Sequence, residues 1–288
     1  MKCLVFGEIL WDVYPDQAVI GGAAFNFGAH LSIVGEDVWF MTAVGNDSLG
    51  SDAIRKIEQY GMKKDYVLIS DKQTGQCLVT LDEKKIPSYC LLTDTAYDNI
   101  NVTSETLNSV KEKSFDVLYF NTLGQRMPVS ERSLKLLLEN IEFKNIFCDV
   151  NIREGNFSVD GLKLCLETAD IVKMSDEDVK FVKQTKIIDE SILPFEAALS
   201  QSFPNIKLFL YTLGEKGSIV YDYVNGIEYQ SDIPEKVDVV STVGAGDCYG
   251  ASFLHKYFEC NDIQKSISFA AKRSAAVVCS TEAIPDNM

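Results

Sequence analysis

Histidine is scarce in this sequence, and the cysteines form no close pairs. Only His30 and His255 occur among 288 residues, so the chain has little material for a structural zinc site or a Ser-His-Asp triad. The eight cysteines include no C-x-x-C motif, and several lie in apolar runs such as Phe147-Cys148 and Val278-Cys279, where cysteine behaves as a small hydrophobe. We therefore expect reduced thiols in the core of a cytoplasmic protein.

Positive charge is also in short supply. The chain has 27 Lys and Arg against 42 Asp and Glu, a formal net charge of −15. A field of this sign repels polyanions, which disfavours general nucleic-acid binding and adhesion to anionic membranes. If the substrate is itself an anion, such as a nucleotide, the protein must concentrate positive potential locally through backbone amides and a few placed cations.

Long hydrophobic runs and linker-like segments are missing as well. No apolar run approaches the ~18 residues that span a bilayer, and Glu8 interrupts the first apolar run before a signal-peptide core forms. No low-complexity linker, internal repeat or charge run marks a second domain. The sequence therefore predicts a single cytoplasmic domain over residues 1–288.

The sequence does contain a regular alternation of short apolar runs and amphipathic segments. The apolar runs predict buried strands at 4–6, 38–44, 117–121, 146–150, 171–174 and 208–213. The amphipathic segments predict helices at 24–34, 49–60, 130–139, 162–168, 194–202, 245–258 and 263–279. This alternation favours an α/β fold with a mainly parallel sheet covered on both faces, in which ligands bind at the carboxyl ends of the strands.

One stretch breaks the alternation. Residues 74–93 predict two strands joined by the charged turn Asp82-Glu83-Lys84-Lys85, with no helix to cover them. Together with residues 11–20, this hairpin is expected to form a small flap over the carboxyl edge of the main sheet. The exposed edge and face of such a flap could pair with those of a second copy, so the sequence leaves a homodimer open.

The sharpest local signal is Ser241-Thr242-Val243-Gly244-Ala245-Gly246-Asp247, which follows a strand-like run at 237–240 and opens a helix. Small residues at 244–246 let backbone N–H groups approach an anion, and the first helical turn adds unsatisfied donors and the positive end of the dipole. Asp247 could accept the proton of a hydroxyl that attacks a phosphoryl group held by those amides. An ordinary helix start explains the same spacing equally well.

A second small-residue cluster, Gly21-Gly22-Ala23-Ala24-Phe25-Asn26, also leads into a helix. Its paired glycines allow a ligand to approach the backbone closely, and the Asn26 amide has the donors and acceptors that read sugar hydroxyls. Taken alone, helix–sheet packing is the simpler explanation for these residues.

Together, the two clusters closely resemble the two signatures of the ribokinase-like (PfkB) family of carbohydrate kinases. The resemblance covers essentially the whole chain, because four further segments fall in the family's order. They are Gly7-Glu8-Ile9-Leu10-Trp11-Asp12, Asp149-Val150-Asn151-Ile152-Arg153, Lys173-Met174-Ser175 and Thr212-Leu213-Gly214-Glu215-Lys216-Gly217. The first two look most like the fructokinase and 2-keto-3-deoxygluconate kinase branches.

The resemblance implies a three-layer α/β/α core with a mainly parallel sheet and a small β lid formed by about 11–20 and 74–93. It also implies that the sugar lies between lid and core, that ATP binds as its Mg²⁺ complex in a groove toward the C-terminus, and that Asp247 is the base. The implied anion hole is Gly244, Ala245 and Gly246, and the implied sugar-binding residues are Asp12, Gly21, Gly22, Asn26 and Arg153. The implied nucleotide-side residues are Lys173, Ser175, Thr212, Gly214 and Gly217, with Asp178 near the hydrated Mg²⁺.

Three positions depart from the family pattern. Ser241 stands where the second signature usually opens with Asp, near the loop at which members often bind a monovalent cation, so activation by K⁺ stays open. Ser175-Asp176-Glu177-Asp178 replaces the Asn-x-x-Glu segment that helps to hold the water shell of Mg²⁺ and phosphate. Glu282-Ala283 replaces the usual Gly-Ala beside the adenine groove and adds a negative charge there.

The resemblance implies ATP-dependent transfer of the γ-phosphate to a primary hydroxyl of a small sugar. Fructose is the first choice of acceptor and 2-keto-3-deoxygluconate the second, because Arg153 suits a carboxylate, with nucleosides third. The three departures leave a competing hypothesis, which is a sugar- or nucleotide-sensing protein of the same fold with weak turnover.

Overall fold

The chain alternates strands and helices, as the sequence predicts. A computed structural model describes residues 1–81, 87–191, 193–231 and 237–285. The strands are β1 (Lys2–Phe6), β2 (Leu10–Val13), β3 (Ala18–Gly21), β4 (Asp37–Gly45), β5 (Val67–Ser70), β6 (Gly75–Leu81), β7 (Pro87–Leu91), β8 (Val117–Asn121), β9 (Asn145–Asp149), β10 (Ile171–Ser175), β11 (Leu208–Thr212), β12 (Ser218–Asp222) and β13 (Ile227–Gln230). The helices are α1 (Ala23–Ile33), α2 (Ser48–Gln59), α3 (Ser104–Lys113), α4 (Pro128–Asn140), α5 (Val159–Thr168), α6 (Asp176–Thr185), α7 (Phe195–Ser202), α8 (Ala245–Cys260) and α9 (Ile263–Val278).

The described residues form one large sheet in the order β13-β12-β11-β10-β9-β8-β1-β4-β5. Neighbours from β11 to β5 pair in parallel, whereas β12 and β13 add antiparallel strands at one edge. The central strands are continuous apolar runs because both of their faces are buried, and Leu4, Val5 and Phe6 of β1 have no exposed surface. The predicted α/β fold with a mainly parallel sheet is confirmed.

Helices cover both faces of the large sheet. Successive residues of β1 point to opposite faces, so Val5 joins one apolar cluster while Leu4 and Phe6 join the other. Helices α1, α2, α8 and α9 complete the first cluster, and α3 to α7 complete the second. Among the helices of the described ranges, none combines the length and apolar character needed to cross a bilayer.

A second sheet of four strands, called the small sheet below, has the order β3-β2-β6-β7. Its central strands β2 and β6 are parallel, and its two outer pairs are antiparallel. It is built from the two segments that the sequence assigns to the flap, while the predicted turn at 82–85 lies outside the described residues. Because β3 ends at Gly21, the small sheet stands beside the start of α1.

The run at 237–240 is not a strand, contrary to the prediction. Val239 and Val240 are 63% and 56% exposed. The N–H groups of Val240 and Ser241 donate to the Val278 carbonyl at the end of α9, so the segment pairs with a helix terminus and not with a sheet. The sequence pattern also misses α3 and α6, which are mostly polar, and β5, β12 and β13, which lie at or next to the edges of the large sheet.

Candidate active site

The candidate site lies where the carboxyl ends of β9 and β10 meet the first turns of α1 and α8. β9 ends at Asp149, and its ladder partner in β10 is Lys173. Helices α1 and α8 begin beside them, directly after Gly22 and Gly244. The topology therefore brings both small-residue clusters of the sequence to one edge of the sheet, the edge at which open parallel sheets bind ligands.

Asp247 is buried in the first turn of α8 and is held by α1. Asn26 donates from Nδ2 to Oδ2 of Asp247 at 2.9 Å, and both residues are buried. Burial raises the pKa of Asp247 to about 6. The Asn26 hydrogen bond and the nearby charges of Lys173 and Arg153 act in the opposite direction. Asp247 is therefore mostly ionised at neutral pH, with a pKa close enough to neutrality for a general base.

Lys173 places a buried ammonium beneath the first turn of α8. Its Nζ lies 2.8 Å from Asp149 Oδ2, and both side chains are almost fully buried. Burial raises the pKa of Asp149 to about 6, while the charge of Lys173 lowers it. A Cβ on Gly246 would lie 3.3 Å from Lys173 Nζ, and one on Gly250 would lie 3.5 Å from Lys173 Cδ. These two glycines share a face of α8, so the helix rests directly on the lysine side chain.

Gly244 is the point at which the turn before α8 touches the C-terminal segment. Its φ is +79°, and a Cβ there would lie 2.6 Å from the Ala283 carbonyl oxygen, so only glycine fits. The same carbonyl accepts a 2.8 Å hydrogen bond from Nε2 of His30. Burial lowers the pKa of His30 to about 4, which keeps this ring neutral. Glu282, the unexpected acid, is exposed next to this contact.

Backbone donors in the first turn of α8 are left free. The N–H of Ala245 donates to the Thr242 carbonyl at 3.3 Å and is already engaged. Within the described ranges, the N–H groups of Gly244, Gly246 and Asp247 have no hydrogen-bond acceptor. These amides, at the positive end of the helix dipole, can bind an anion without basic side chains.

Asp12 and Arg153 bring opposite charges to the side of the site nearest the small sheet. A Cβ on Gly21 of β3 would lie 3.2 Å from Oδ2 of Asp12, which is half-buried in β2. Burial raises the pKa of Asp12, while the Cys77 thiol and the charge of Arg153 lower it. Arg153 is exposed, and in the part of the chain that the structure describes its guanidinium has no hydrogen-bonded or ion-paired partner. Its charge acts on both Asp12 and Asp247, so this guanidinium is available to a ligand between them.

Of the predicted nucleotide-side residues, Thr212 ends β11, and Gly214 and Gly217 lie in the turn between β11 and β12. The N–H of Leu213 donates to the Gly217 carbonyl at 2.8 Å. Gly214 and Gly217 have φ of +59° and +85°, which favour glycine. This turn follows the carboxyl end of β11, on the same edge of the large sheet as the candidate site.

Ser175 and Asp178 form a capping box at the start of α6. Asp178 Oδ2 accepts hydrogen bonds from N and Oγ of Ser175 at 2.8 and 2.7 Å, and Oδ1 accepts one from the N–H of Ile152 at 2.7 Å. The described ranges contain no group of three or more His, Cys, Asp or Glu able to enclose a metal ion. Both oxygens of the buried Asp178 carboxylate already accept hydrogen bonds from protein groups.

Two buried acids that the sequence pattern does not select, Glu8 and Asp149, support the site. Glu8 has no exposed surface, and its carboxylate accepts from Nδ2 of Asn121 at 3.1 and 3.0 Å and from the N–H of Ala24 at 3.2 Å. Gly22 has φ +108°, and a Cβ there would lie 2.7 Å from the Glu8 carbonyl oxygen. The sequence signal for both is an acid at the end of an apolar strand, as for Asp149, or two residues beyond it, as for Glu8.

Comparison with known proteins decides the family. The family described as "pfkB family carbohydrate kinase" matches residues 13–288. The chain belongs to this family. The kinase is 25% identical to "Probable fructokinase-2" of Arabidopsis thaliana, over 97% of its own chain and 91% of the relative's.

Solved structures share the fold of this kinase. The fructokinase of Vibrio cholerae O395 in its fructose, ADP and calcium ion bound form has a TM-score of 0.78 and 20% identity, covering 98% of this chain and 94% of that one. The 2-dehydro-3-deoxygluconokinase of Thermotoga maritima has a TM-score of 0.81 and 20% identity, covering 99% and 96%. The predicted ribokinase-like architecture is confirmed, and family membership makes the protein a carbohydrate phosphotransferase.

Proposed function

We propose that the kinase transfers the γ-phosphate of ATP to a primary hydroxyl of a neutral sugar, with fructose as the first choice. The observation that carries this proposal is the coincidence, in the first turn of α8, of the buried Asp247 carboxylate with unbonded N–H groups. A base and an anion site at one point are what phosphoryl transfer to a hydroxyl requires.

Asp247 accepts the proton of the attacking hydroxyl as the new O–P bond forms and the bond from the γ-phosphorus to the ADP oxygen breaks. The N–H groups of Gly244, Gly246 and Asp247 bind the phosphoryl oxygens, with the Lys173 ammonium below them adding positive potential. Mg²⁺ bound with ATP would neutralise phosphate charge. The small sheet acts as the lid, and its closure excludes water that would otherwise accept the phosphoryl group.

The net charge of −15 repels an anionic substrate such as ATP, so the site must provide positive potential locally. Positive potential is concentrated in backbone amides, one helix terminus and the side chain of Lys173. Surface lysines and arginines are not needed for it.

A neutral sugar suits the opposite charges of Asp12 and Arg153, because a carboxylate can accept from sugar hydroxyls while the guanidinium donates to them. 2-Keto-3-deoxygluconate, the second choice, would pair its carboxylate with Arg153 but would also approach the Asp12 carboxylate. The name of the Thermotoga maritima neighbour supports this alternative. Nucleosides rank third.

The competing sensor hypothesis rests on Ser241, Ser175 and Glu282. Ser175 is explained by its capping of α6, which weakens that part of the hypothesis. The test is ADP release measured with fructose, 2-keto-3-deoxygluconate and nucleosides, each with and without K⁺. Turnover highest with fructose supports the proposal, whereas measurable sugar or ATP binding without turnover on any acceptor supports the sensor.

Arg153 offers a direct test of the sugar-binding assignment. Replacing Arg153 by Met should raise the KM for the sugar about tenfold, because one charge-assisted hydrogen bond is lost, and should leave the KM for ATP nearly unchanged. Arg132→Met, an exposed arginine in α4, is the matched control. Equal effects of the two substitutions on the sugar KM would contradict the assignment.

The proposal also includes a cytoplasmic location. It further includes a homodimer formed through the small sheet, whose exposed side chains Val19, Leu78 and Tyr89 would lie in the interface. Sedimentation velocity at micromolar concentration, compared between the wild type and Tyr89→Glu, tests the dimer. A monomer for the wild type would remove this part of the proposal.

A further inference from the structure

Arg126 is not among the proposed binding residues, but its side chain donates hydrogen bonds to three other residues near the site. It follows the turn at the end of β8, and its side chain is only 4% exposed. Its Nε donates to Asp98 Oδ1 at 2.7 Å and its Nη2 to Asp98 Oδ2 at 2.9 Å, a two-pronged ion pair. This pairing fixes the plane and direction of the guanidinium.

The remaining Arg126 donors reach two separate segments. Nη2 donates to the carbonyl of Leu92, the residue directly after β7, where the small sheet returns to the core. Nη1 donates to Oδ1 of Asn156, and the N–H of Asn156 donates to the carbonyl of Arg153 at 2.8 Å. One guanidinium therefore joins the base of the small sheet to the turn that carries Arg153.

The other strand at the base of the small sheet is also in contact with this cluster. The Arg126 guanidinium lies 5.0 Å from the centre of the Tyr97 ring. That ring packs on the start of β6, because a Cβ on Gly75 would lie 2.6 Å from Tyr97 Cδ1. Arg126 thus bonds the segment after β7 directly and reaches the start of β6 through the Tyr97 ring.

We propose that Arg126 is a positioning residue that holds the Arg153 turn in register with the small sheet, so that Arg153 reaches the sugar only when the two are joined. The inference rests on the proposed function, because it takes Arg153 to contact the sugar. The alternative is that the Arg126–Asp98 pair only stabilises the fold.

Asn156→Ala separates the two ideas, because it removes the link from Arg126 to the Arg153 turn and leaves the Asp98 and Leu92 bonds of Arg126 in place. It also removes the bond from Asn156 Nδ2 to the Glu154 carbonyl, which Arg126→Lys keeps. It should raise the KM for the sugar about tenfold, with the KM for ATP nearly unchanged. Arg126→Lys keeps the charge but loses the fork, and it should raise the sugar KM at least as much. Asn99→Ala, which loses only bonds to Asp94 and the Thr95 carbonyl, is the control.

The deciding measurement is a double-mutant cycle. In an Arg153→Met background, Asn156→Ala should change the sugar KM by less than about twofold, because the residue through which it acts is gone. Full additivity, or an unchanged sugar KM for Asn156→Ala in an active enzyme, overturns the proposal.

Hydrogen exchange of the segment 150–158, measured by mass spectrometry, gives a readout that does not depend on turnover. Exchange there should rise in Arg126→Lys, which leaves the bond from Asn156 Nδ2 to the Glu154 carbonyl in place, but not in Asn99→Ala. Unchanged exchange in Arg126→Lys overturns the proposal. Absence of turnover by the wild type on any sugar would instead refute the proposed function, and the exchange data would still decide whether Arg126 holds the turn.

Discussion

Replacing Asn26 by Leu should make the activity of the kinase more sensitive to acid. Asn26 donates a 2.9 Å hydrogen bond to the buried carboxylate of Asp247, whose pKa is about 6. A hydrogen bond to a charged group contributes roughly 1.5–3 kcal/mol, and 1.36 kcal/mol corresponds to one pKa unit. Because the bond favours the ionised form, its loss should raise the pKa of Asp247 to between about 7 and 8.

The expected signature is a deficit that depends on pH. Only ionised Asp247 can accept the proton, so kcat/KM falls as the pH drops below the pKa of Asp247. At pH 6 the wild type is about half ionised and the variant about 1–10%, which predicts a loss of roughly 5- to 50-fold in kcat/KM. At pH 9 both forms are mostly ionised, and this part of the loss disappears.

The assay is ADP release at saturating ATP from pH 5 to 9, with each variant divided by the wild type at the same pH so that titration of ATP cancels. Asn205→Leu is the matched control, since the Asn205 amide bonds only the carbonyls of Leu166 and Ala169, away from the site. An Asn26→Leu deficit of the same size at pH 6 and pH 9 would refute the claim that Asn26 tunes Asp247.

Two further predictions concern the support beneath and beside α8. Lys173→Met leaves the buried Asp149 carboxylate without its cation and should cost roughly 3–5 kcal/mol of unfolding free energy at pH 8, measured by urea denaturation. The raised pKa of Asp149 means that the folded state favours the protonated carboxyl. The stability deficit should therefore shrink as the pH falls toward 5, and a deficit independent of pH would contradict the ion pair between Asp149 and Lys173. Gly244→Ala should destabilise the protein by about 1–3 kcal/mol more than Gly226→Ala, because both positions have positive φ but only Gly244 meets a neighbour, the Ala283 carbonyl. Equal thermal shifts for the two glycine variants would show that the turn before α8 can move aside.

The sequence predicts the large sheet well because its central strands are buried on both faces. Residues such as Leu4, Val5 and Phe6 then form continuous apolar runs, which can be read directly from the order of residues in the sequence. The same rule fails at Val239 and Val240, where apolar side chains are exposed beside the site and the backbone bonds to Val278. Apolar runs therefore predict the buried strands of the large sheet, but they do not predict the conformation of the exposed segment before α8.

The candidate site is predictable as a set of segments but not as a set of contacts. Asn26 and Asp247 are 221 residues apart, and only the packing of α1 against α8 shows that Asn26 bonds Asp247. The Asp149–Lys173 pair is closer to what sequence can reveal, because an acid and a lysine inside apolar runs of successive parallel strands are expected to be neighbours.

The measurement that tests the central claim most directly is the turnover of Asp247→Asn with fructose, beside its affinity for ATP. Removal of a general base typically costs 10²–10⁴-fold, so kcat should fall at least about 100-fold while ATP binding changes only a few-fold. Turnover near that of the wild type would contradict the assignment of Asp247 as the base that accepts the sugar's proton.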